Sequence, residues 1–256
     1  MVVDHGRRVA FCYIPKISSS TWKAVMANNT GVNSDVTFDK LTSKGYIHSR
    51  VGMFGLSNEV YTSQLENYTK FMILRHPFDR LLSAYHDKAF PNIKNGRVHS
   101  PYGVIRRAVL RQGNHSNLSA DERENYIPTI EEFAQYALVT RNIHWNSYAF
   151  RCDPCHIRYD HVIRLETLAS DTEKLLKAAY PEVASLPSTN AYRHAQSAKT
   201  NDQSKTLSEF SDVESSTLAA VFQKYKYDFN LYGYGFDVKS HQTVCSMKLN
   251  SAYSCC

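Results

Sequence analysis

No run of about 18 consecutive apolar residues, the length that a membrane-spanning helix requires, occurs in this sequence. The first residues, Met1 to Arg8, lack the apolar core of a signal peptide. We therefore expect any membrane association to depend on an anchor that is absent from this chain. The 256 residues include only 10 glycines, which excludes collagen-like and glycine-linker architectures. Because 43% of the residues are hydrophobic and 12% are aromatic, disorder is excluded as well, and we expect a single globular domain over 1–256.

Acidic residues are missing from one long stretch of the chain. Between Lys88 and Ala120 there is no Asp or Glu, although the stretch contains 6 of the 30 Lys and Arg residues. The rest of the chain has 24 basic and 24 acidic residues, so this segment carries the whole net charge of +6. Such a surface favours an anionic partner, although a solvated basic loop and helix would have the same composition. The candidate contacts to an anionic partner are Arg97, Arg106, Arg107 and Arg111.

Strands alternate with helices along the sequence. Short apolar runs predict buried strands over 8–14, 68–75 and 161–165. Helical spacing of apolar residues predicts helices over 18–26, after Pro77, and over 102–111, 129–140, 168–180 and 218–229, with polar loops over 112–119 and 187–207. This order predicts an α/β fold in which a central, mostly parallel sheet is flanked by helices. Ligands of such sheets bind at the carboxyl ends of the strands.

The first strand–helix junction is Pro15-Lys-Ile-Ser-Ser-Ser-Thr-Trp22. A helix N-terminus presents unpaired N–H groups and a partial positive charge, to which Lys16 adds a full charge and the hydroxyl groups add donors. The junction therefore favours an anion such as a phosphate, although serine and threonine before a helix are often simple capping residues. It has no glycine and no G-x-x-x-x-G-K-[ST] pattern, which argues against a nucleoside triphosphatase or a Mg-dependent kinase.

The second junction is Arg75-His-Pro-Phe-Asp-Arg-Leu-Leu-Ser83. Arg75 stands at the end of a predicted strand, where its guanidinium group can hold a phosphate. Ser83 lies eight residues further on, inside the predicted helix, and can offer a hydroxyl to the same group. The alternative is an arginine that pairs with Asp79 and a serine without a functional role.

Together these two junctions resemble those of a known family, the Golgi carbohydrate sulfotransferases related to chondroitin 4-O-sulfotransferase. Residues 12–23 (CYIPKISSSTWK) resemble its 5′-phosphosulfate-binding segment, and residues 71–85 (FMILRHPFDRLLSAY) resemble its 3′-phosphate-binding segment. Similar stretches follow at 144–145, 152–155, 159–160, 166–168 and 227–234. The resemblance thus runs in order from about residue 9 to about residue 235, and 236–256 forms a cysteine-containing tail. This chain departs from the family pattern at Ser18, Ser19 and His76.

The resemblance implies a P-loop-like, three-layer domain whose donor substrate is PAPS (3′-phosphoadenylyl sulfate). An acceptor hydroxyl would attack the sulfur in line, Lys16 would neutralise charge on the leaving phosphate, and no metal would be needed. The implied acceptor is an anionic glycan such as chondroitin rather than a nucleic acid, and the implied location is the Golgi lumen or membrane. The residues implied to hold the donor are Pro15, Lys16, Ser18, Ser19, Ser20, Thr21, Trp22, Arg75 and Ser83.

A general base should deprotonate the acceptor hydroxyl, and histidine is the usual residue for this role. Among the 11 histidines, His48 is the first candidate, because related glycan sulfotransferases place a catalytic His or Glu in the region between the two binding segments. His144 is the second candidate, because it belongs to a stretch that resembles the family. A surface or structural role is the alternative for each.

The six cysteines do not by themselves require an oxidising compartment. Cys12 lies in an apolar strand pattern and is expected to be a buried thiol. The segment Cys152-Asp-Pro-Cys155-His156 also matches the pattern of haem attachment, and its side chains are a poor set of ligands for zinc. A local or long-range disulfide is the favoured interpretation of its cysteines. N-glycosylation sequons at Asn28, Asn67, Asn114 and Asn117 are weak support for secretion.

Two other functions compete with glycan sulfation. A sulfotransferase that acts on small phenols or alcohols would explain the absence of an anchor, but the Cys-Asp-Pro-Cys segment and the sequons oppose it. An inactive homologue that only binds anionic glycans would use the basic segment alone. Titration with PAPS separates these possibilities, since only the enzymes should bind it.

Overall fold

A computed structural model describes residues 1–17, 19, 21–22, 25–26, 65–91, 93–94, 97–98, 101–183, 208–237 and 242–245 of the chain. At 93–94, 97–98, 236–237 and 242–245 the description covers the backbone alone. His48, Ser18, Ser20 and the predicted loop over 187–207 lie outside the described residues, as does the side chain of Arg97. Within these ranges no helix is long and apolar enough to cross a membrane.

Strands and helices alternate as the sequence predicts. The strands are β1 (Val2–Asp4), β2 (Val9–Cys12), β3 (Thr69–Leu74), β4 (Ile93–Lys94), β5 (Arg97–Val98), β6 (His161–Arg164), β7 (Tyr234–Asp237) and β8 (Gln242–Cys245). The helices are α1 (Pro77–Lys88), α2 (Tyr102–Gln112), α3 (Ala120–Asn125), α4 (Ile130–Val139), α5 (Tyr148–Cys152), α6 (Leu168–Ala179), α7 (Ser215–Lys224) and α8 (Lys226–Tyr232), with a 3₁₀ turn over Leu165–Thr167. Ser19, Thr21, Trp22, Val25 and Met26 are also helical.

The chain divides into two compact units, each made of two stretches of sequence. The first comprises the described parts of Met1–Arg75 and Tyr148–Asn201, and the second those of His76–Ser147 and Asp202–Cys256. The first unit contains a four-stranded sheet in the order β1-β2-β3-β6. Strands β2, β3 and β6 are parallel, and β1 is antiparallel to β2. The predicted α/β architecture, a mostly parallel sheet flanked by helices, is therefore confirmed, while the single-domain organisation stays a prediction.

Continuous apolar runs explain the central strands. All four residues of β2 and the last four of β3 are buried, which is typical of a parallel strand covered on both faces. Phe11 pairs with Phe71 across the two strands, and their rings stack at 5.1 Å between centroids. Trp22, in the helical stretch that follows the first junction, packs on Phe71 at 4.9 Å. This contact fixes the stretch that carries the predicted anion-binding loop to the sheet.

The second unit is mainly helical and also contains two hairpins, β4–β5 and β7–β8. Capping boxes at Ser119 and Thr129 define the starts of α3 and α4. Glu131 in the first turn of α4 accepts hydrogen bonds from the Thr217 hydroxyl and the Glu214 N–H, which ties α4 to the start of α7. Lys224 caps the other end of α4 by donating to the carbonyls of 137, 138 and 140. Burial lowers the pKa of Lys224, and the nearby charges of Arg80 and Arg141 lower it further.

The prediction of one helix over 218–229 is wrong in one respect. The chain forms two helices there, α7 and α8, which meet at Tyr225. Tyr225 is fully buried, has φ −104° and ψ 11°, and donates its hydroxyl to the Trp145 carbonyl at 2.7 Å. The break therefore lies where this side chain is bound to another segment, a contact that apolar periodicity does not reveal. The predicted helices over 102–111, 129–140 and 168–180 differ from the observed bounds by no more than one residue at either end.

Candidate functional site

Two of the predicted cationic residues lie at the same edge of the sheet in the first unit. Lys16 follows the end of β2 by four residues, and Arg75 follows the end of β3 directly. The two strands are neighbours and parallel, with Cys12 opposite Met72, so their carboxyl ends point to one edge. Because adjacent strands lie about 4.8 Å apart, this edge can present two cationic groups to one ligand with two anionic ends.

Buried residues on both sides of Lys16 hold its loop in place. Pro15 and Ile17 are buried, and Lys16 itself is half-buried with φ 72°, in the left-handed region that a non-glycine residue seldom adopts. Such a conformation persists only where the surrounding structure imposes it, and functional loops are where it tends to occur. Beyond Ile17, Ser19 and Thr21 are buried and helical.

Arg151 is a cation beside this loop that the sequence did not single out. Burial raises the pKa of Tyr13, while a hydrogen bond with the Ser19 side chain and the charge of Arg151 oppose the rise. Tyr13, Ser19 and Arg151 therefore lie close together in space, near the end of β2. The Nε atom of Arg151 is buried and has no hydrogen-bond partner among the described residues. An unused buried donor on a cation fits an anionic group at this loop.

Arg75 is held through its backbone by Tyr148. The Arg75 N–H donates to the Tyr148 hydroxyl at 2.9 Å, and that hydroxyl donates to the Arg75 carbonyl at 2.9 Å. Tyr148 is fully buried, whereas Arg75 is half-buried. Tyr148 was not predicted as a site residue. The only available signal was its place between two stretches that resemble the family, at 144–145 and 152–155.

The expectation of a free thiol at Cys12 is wrong. Cys12 forms a disulfide with Cys152, 140 residues along the chain. A buried apolar strand position is compatible with either state, and only the return of the chain at α5 brings the second sulfur to it. The disulfide interpretation of the Cys152–Cys155 segment is confirmed, because Cys155 is disulfide-bonded as well. Neither cysteine is therefore a thiolate ligand for zinc or an attachment point for haem.

In the second unit, α1 begins at Pro77, as predicted, with proline in the first turn. Ser83 lies on this helix and is half-buried. His76, which differs from the family pattern, is buried directly before the helix, and its Nε2 lies 3.1 Å from the Gly235 carbonyl. Its ring also contacts Phe229 and Tyr234. This substitution therefore fastens the start of α1 to β7.

His144, the second candidate base, has a defined hydrogen-bonding partner. The Asn142 Oδ1 atom accepts the backbone N–H of His144 at 3.0 Å and lies 2.7 Å from its Nδ1. Since the backbone N–H can only donate, this atom is the acceptor oxygen, and Nδ1 must carry the proton that it receives. The neutral ring then has its basic lone pair on Nε2. This tautomer suits a residue that takes a proton from a hydroxyl group.

A buried arginine holds the turn that contains His144. Arg80 on α1 is fully buried and donates through its guanidinium group to the carbonyls of His144, at 3.3 Å, and Asn146. The Tyr225 hydroxyl donates to the carbonyl between them, that of Trp145. Three consecutive carbonyls are thus bound by side chains from the helices, so the turn has little freedom to change its backbone conformation.

The arginines of the basic segment differ in accessibility. Arg107 and Arg111 are exposed and lie one turn apart on α2. Arg106 is different, because only 11% of its side chain is exposed, Nη2 lies 3.2 Å from Glu124, and the guanidinium group lies over the ring of Tyr102. The exposed positive charge of α2 therefore comes from Arg107 and Arg111.

Comparison with known proteins gives one consistent result. A family model described as "Sulfotransferase family" matches residues 1–235. The chain is 28% identical over 245 residues to carbohydrate sulfotransferase 11 of Rattus norvegicus, covering 91% of this chain and 66% of that protein. It is 30% identical over 243 residues to carbohydrate sulfotransferase 11 of Danio rerio, covering 91% and 66%. It is 28% identical over 239 residues to carbohydrate sulfotransferase 14 of Homo sapiens, covering 91% and 60%.

The chain thus spans slightly less than two thirds of the length of these relatives. No solved structure matches it.

Proposed function

This chain belongs to the sulfotransferase family, and we propose that it is a PAPS-dependent O-sulfotransferase that acts on a glycan. The observation that carries the proposal is the placement of Lys16 and Arg75 at the carboxyl ends of neighbouring parallel strands. PAPS has two separate anionic ends, the phosphosulfate and the 3′-phosphate. An edge with a cation after each strand suits a donor of that kind.

The donor would be held by both junctions. Lys16 and the hydroxyl and N–H groups of Ser19 and Thr21 would bind the 5′ end, and the half-buried Arg151 adds a guanidinium group near Tyr13 and Ser19. Arg75 would bind the 3′-phosphate. We also assign Pro15, Ser18, Ser20, Trp22 and Ser83 to donor binding, from the resemblance of their segments to the family. When bound, the donor supplies the activated sulfuryl group and a phosphate as the leaving group. Lys16 supplies positive charge where negative charge develops on that phosphate.

The proton of the acceptor hydroxyl would be removed by a histidine. His144 has the required tautomer, because Asn142 holds the proton on Nδ1 and leaves Nε2 basic. Its turn is held by Arg80, which limits the range of positions that the ring can take. His48 remains the other proposed base, from its place in the chain between the two binding segments.

The proposed acceptor is chondroitin or a related glycosaminoglycan, whose carboxylate groups would meet the basic segment. Arg107 and Arg111 are the exposed cations that support this assignment. Arg97 and Arg106 belong to the same proposed contact surface, but Arg106 is largely buried and paired with Glu124, which gives it a structural role in α2 as well. Charge on an exposed surface acts mainly through long-range attraction, so acceptor binding should weaken with salt.

The proposed location is the Golgi lumen. The Cys12–Cys152 disulfide favours a protein that has passed through an oxidising compartment. Asn114 and Asn117 are exposed in the polar loop before α3, where N-linked glycans would be accessible to the glycosylating enzyme. Expression in a secretory host should give a protein whose mass falls on treatment with an N-glycosidase. An unchanged mass would argue against this location.

The proposed reaction is tested by incubating the protein with radiolabelled PAPS and a panel of desulfated glycosaminoglycans. We expect label in chondroitin and a loss of transfer of about 100-fold or more in Lys16→Ala, the size typical of losing one group that stabilises developing charge. Arg7→Ala is the matched control, since Arg7 is a partly exposed cation of the same unit paired with Glu182. No transfer to any glycan by the wild type would overturn the proposal.

A further inference from the structure

Helix α5 is attached at both ends to the strand ends that lead to Lys16 and Arg75. At its first residue, the Tyr148 hydroxyl accepts the Arg75 N–H and donates to the Arg75 carbonyl, both at 2.9 Å. At its last residue, Cys152 is bonded to Cys12, the final residue of β2. Because β2 and β3 are adjacent and parallel, α5 spans the carboxyl ends of both.

The Tyr148 contact lies where regular strand pairing has stopped. The last registered pair of β3 with β6 is Leu74 with Arg164, so Arg75 is the first residue beyond it. Tyr148 is fully buried, which fixes its ring. One rigid hydroxyl that binds both peptide groups of Arg75 sets the direction in which the arginine side chain leaves the backbone.

The other end of α5 is held by two independent links. Besides the disulfide, the Cys152 carbonyl accepts the Tyr159 hydroxyl at 2.6 Å. Cys152 and Tyr159 are both buried, so the helix cannot shift without breaking interior contacts. The helix is short, from Tyr148 to Cys152, and therefore acts as a rigid connector between its two attachments.

We propose that α5 is a brace that sets the spacing between the Lys16 loop and Arg75, and that Tyr148 is a positioning residue for the donor's 3′-phosphate. The inference rests on the proposed function, because it requires Arg75 to bind that phosphate. A site whose charged groups are held in place before the ligand arrives binds it more tightly than one that must be ordered on binding.

Tyr148→Phe is the direct test, since it keeps the buried ring and removes only the hydroxyl. Loss of its two hydrogen bonds should raise the Kd for adenosine 3′,5′-bisphosphate, measured by titration calorimetry, about three- to tenfold. The KM for PAPS should rise by a similar factor while the KM for the glycan stays unchanged. Hydrogen exchange at the Arg75 amide should be faster in the variant.

Tyr180→Phe is the matched control. It also removes a buried hydroxyl from the first unit, one that donates to Asp4 at 3.3 Å. Asp4 pairs with Val9 at the amino end of β2, away from the carboxyl edge. This variant should lose stability without a change in the Kd for the bisphosphate.

The outcomes separate the two proposals. If the wild type binds the bisphosphate and Tyr148→Phe binds it with the same Kd, the proposed positioning role of α5 and Tyr148 is wrong and the proposed function stands. An equal rise in Kd for both phenylalanine variants would also overturn the brace, because the effect would then follow general stability. If the wild type does not bind the bisphosphate, both proposals fail together.

Discussion

Removal of the Cys12–Cys152 disulfide should destabilise the first unit strongly. The bond closes a loop of 140 residues, and the chain-entropy relation for a loop of that length gives about 5 kcal/mol at 25 °C. Strain and residual structure in the unfolded chain reduce such values, so we expect the Cys12→Ala/Cys152→Ala variant to lose about 2–5 kcal/mol. Because whole domains are stable by only about 5–15 kcal/mol, a loss of this size is a large fraction of the total.

The two tryptophans allow this loss to be assigned to one unit. Trp22 is buried against Phe71 in the first unit, and Trp145 is buried in the second. In a Trp145→Phe background, urea unfolding followed by fluorescence reports on Trp22 alone. The midpoint of that transition should fall sharply when the disulfide is removed, and its slope should rise, because the unfolded chain without the cross-link exposes more surface. A loss below about 1 kcal/mol would show that this bond does not constrain the unfolded chain as described.

Three further predictions concern the second unit. Arg80→Met should lower the free energy of unfolding in urea by about 3 kcal/mol or more, because two carbonyls lose a charged donor. The control Arg107→Met, at an exposed position, should change it by less than about 0.5 kcal/mol. Equal effects would refute the role of Arg80 in holding the His144 turn. Asn142→Ala should lower kcat about tenfold or more, because it removes the acceptor that holds the proton on His144 Nδ1. Nitrogen NMR should then show the Nε2–H tautomer of the neutral His144 ring. An unchanged tautomer would contradict the role of Asn142. Charge reversal of Arg107 and Arg111 to Glu should raise the acceptor KM and remove its salt dependence; a change in PAPS affinity alone would place these residues in the donor site instead.

The parts of the fold that follow from local pattern were predictable. Strands β2 and β3 are continuous apolar runs, and the helix after Arg75 begins at a proline, so periodicity and turn chemistry suffice for them. Strand β1 was missed, because a run from Val2 to Asp4 is too short to show alternation and depends on pairing with β2. The break at Tyr225 was missed for a similar reason, since a contact with a distant carbonyl decides it.

The placement of Lys16 and Arg75 after the carboxyl ends of two strands was predictable from the apolar runs that precede them, while their role in binding stays a prediction. Arg151 and Tyr148 could not be found in this way, because their positions depend on how the chain returns to the sheet through α5. The free-thiol expectation for Cys12 failed for the same reason, since its partner lies 140 residues away. Long-range pairing is the kind of information that local composition does not contain.

Donor binding at the carboxyl edge of β2 and β3 is tested most directly by calorimetric titration with adenosine 3′,5′-bisphosphate. The wild type should bind, and Arg75→Ala should bind at least about tenfold more weakly, because it lacks the guanidinium group that donates charged hydrogen bonds to the phosphate. Binding of equal strength by the wild type and Arg75→Ala, or no binding by the wild type, would contradict the placement of the donor at this edge.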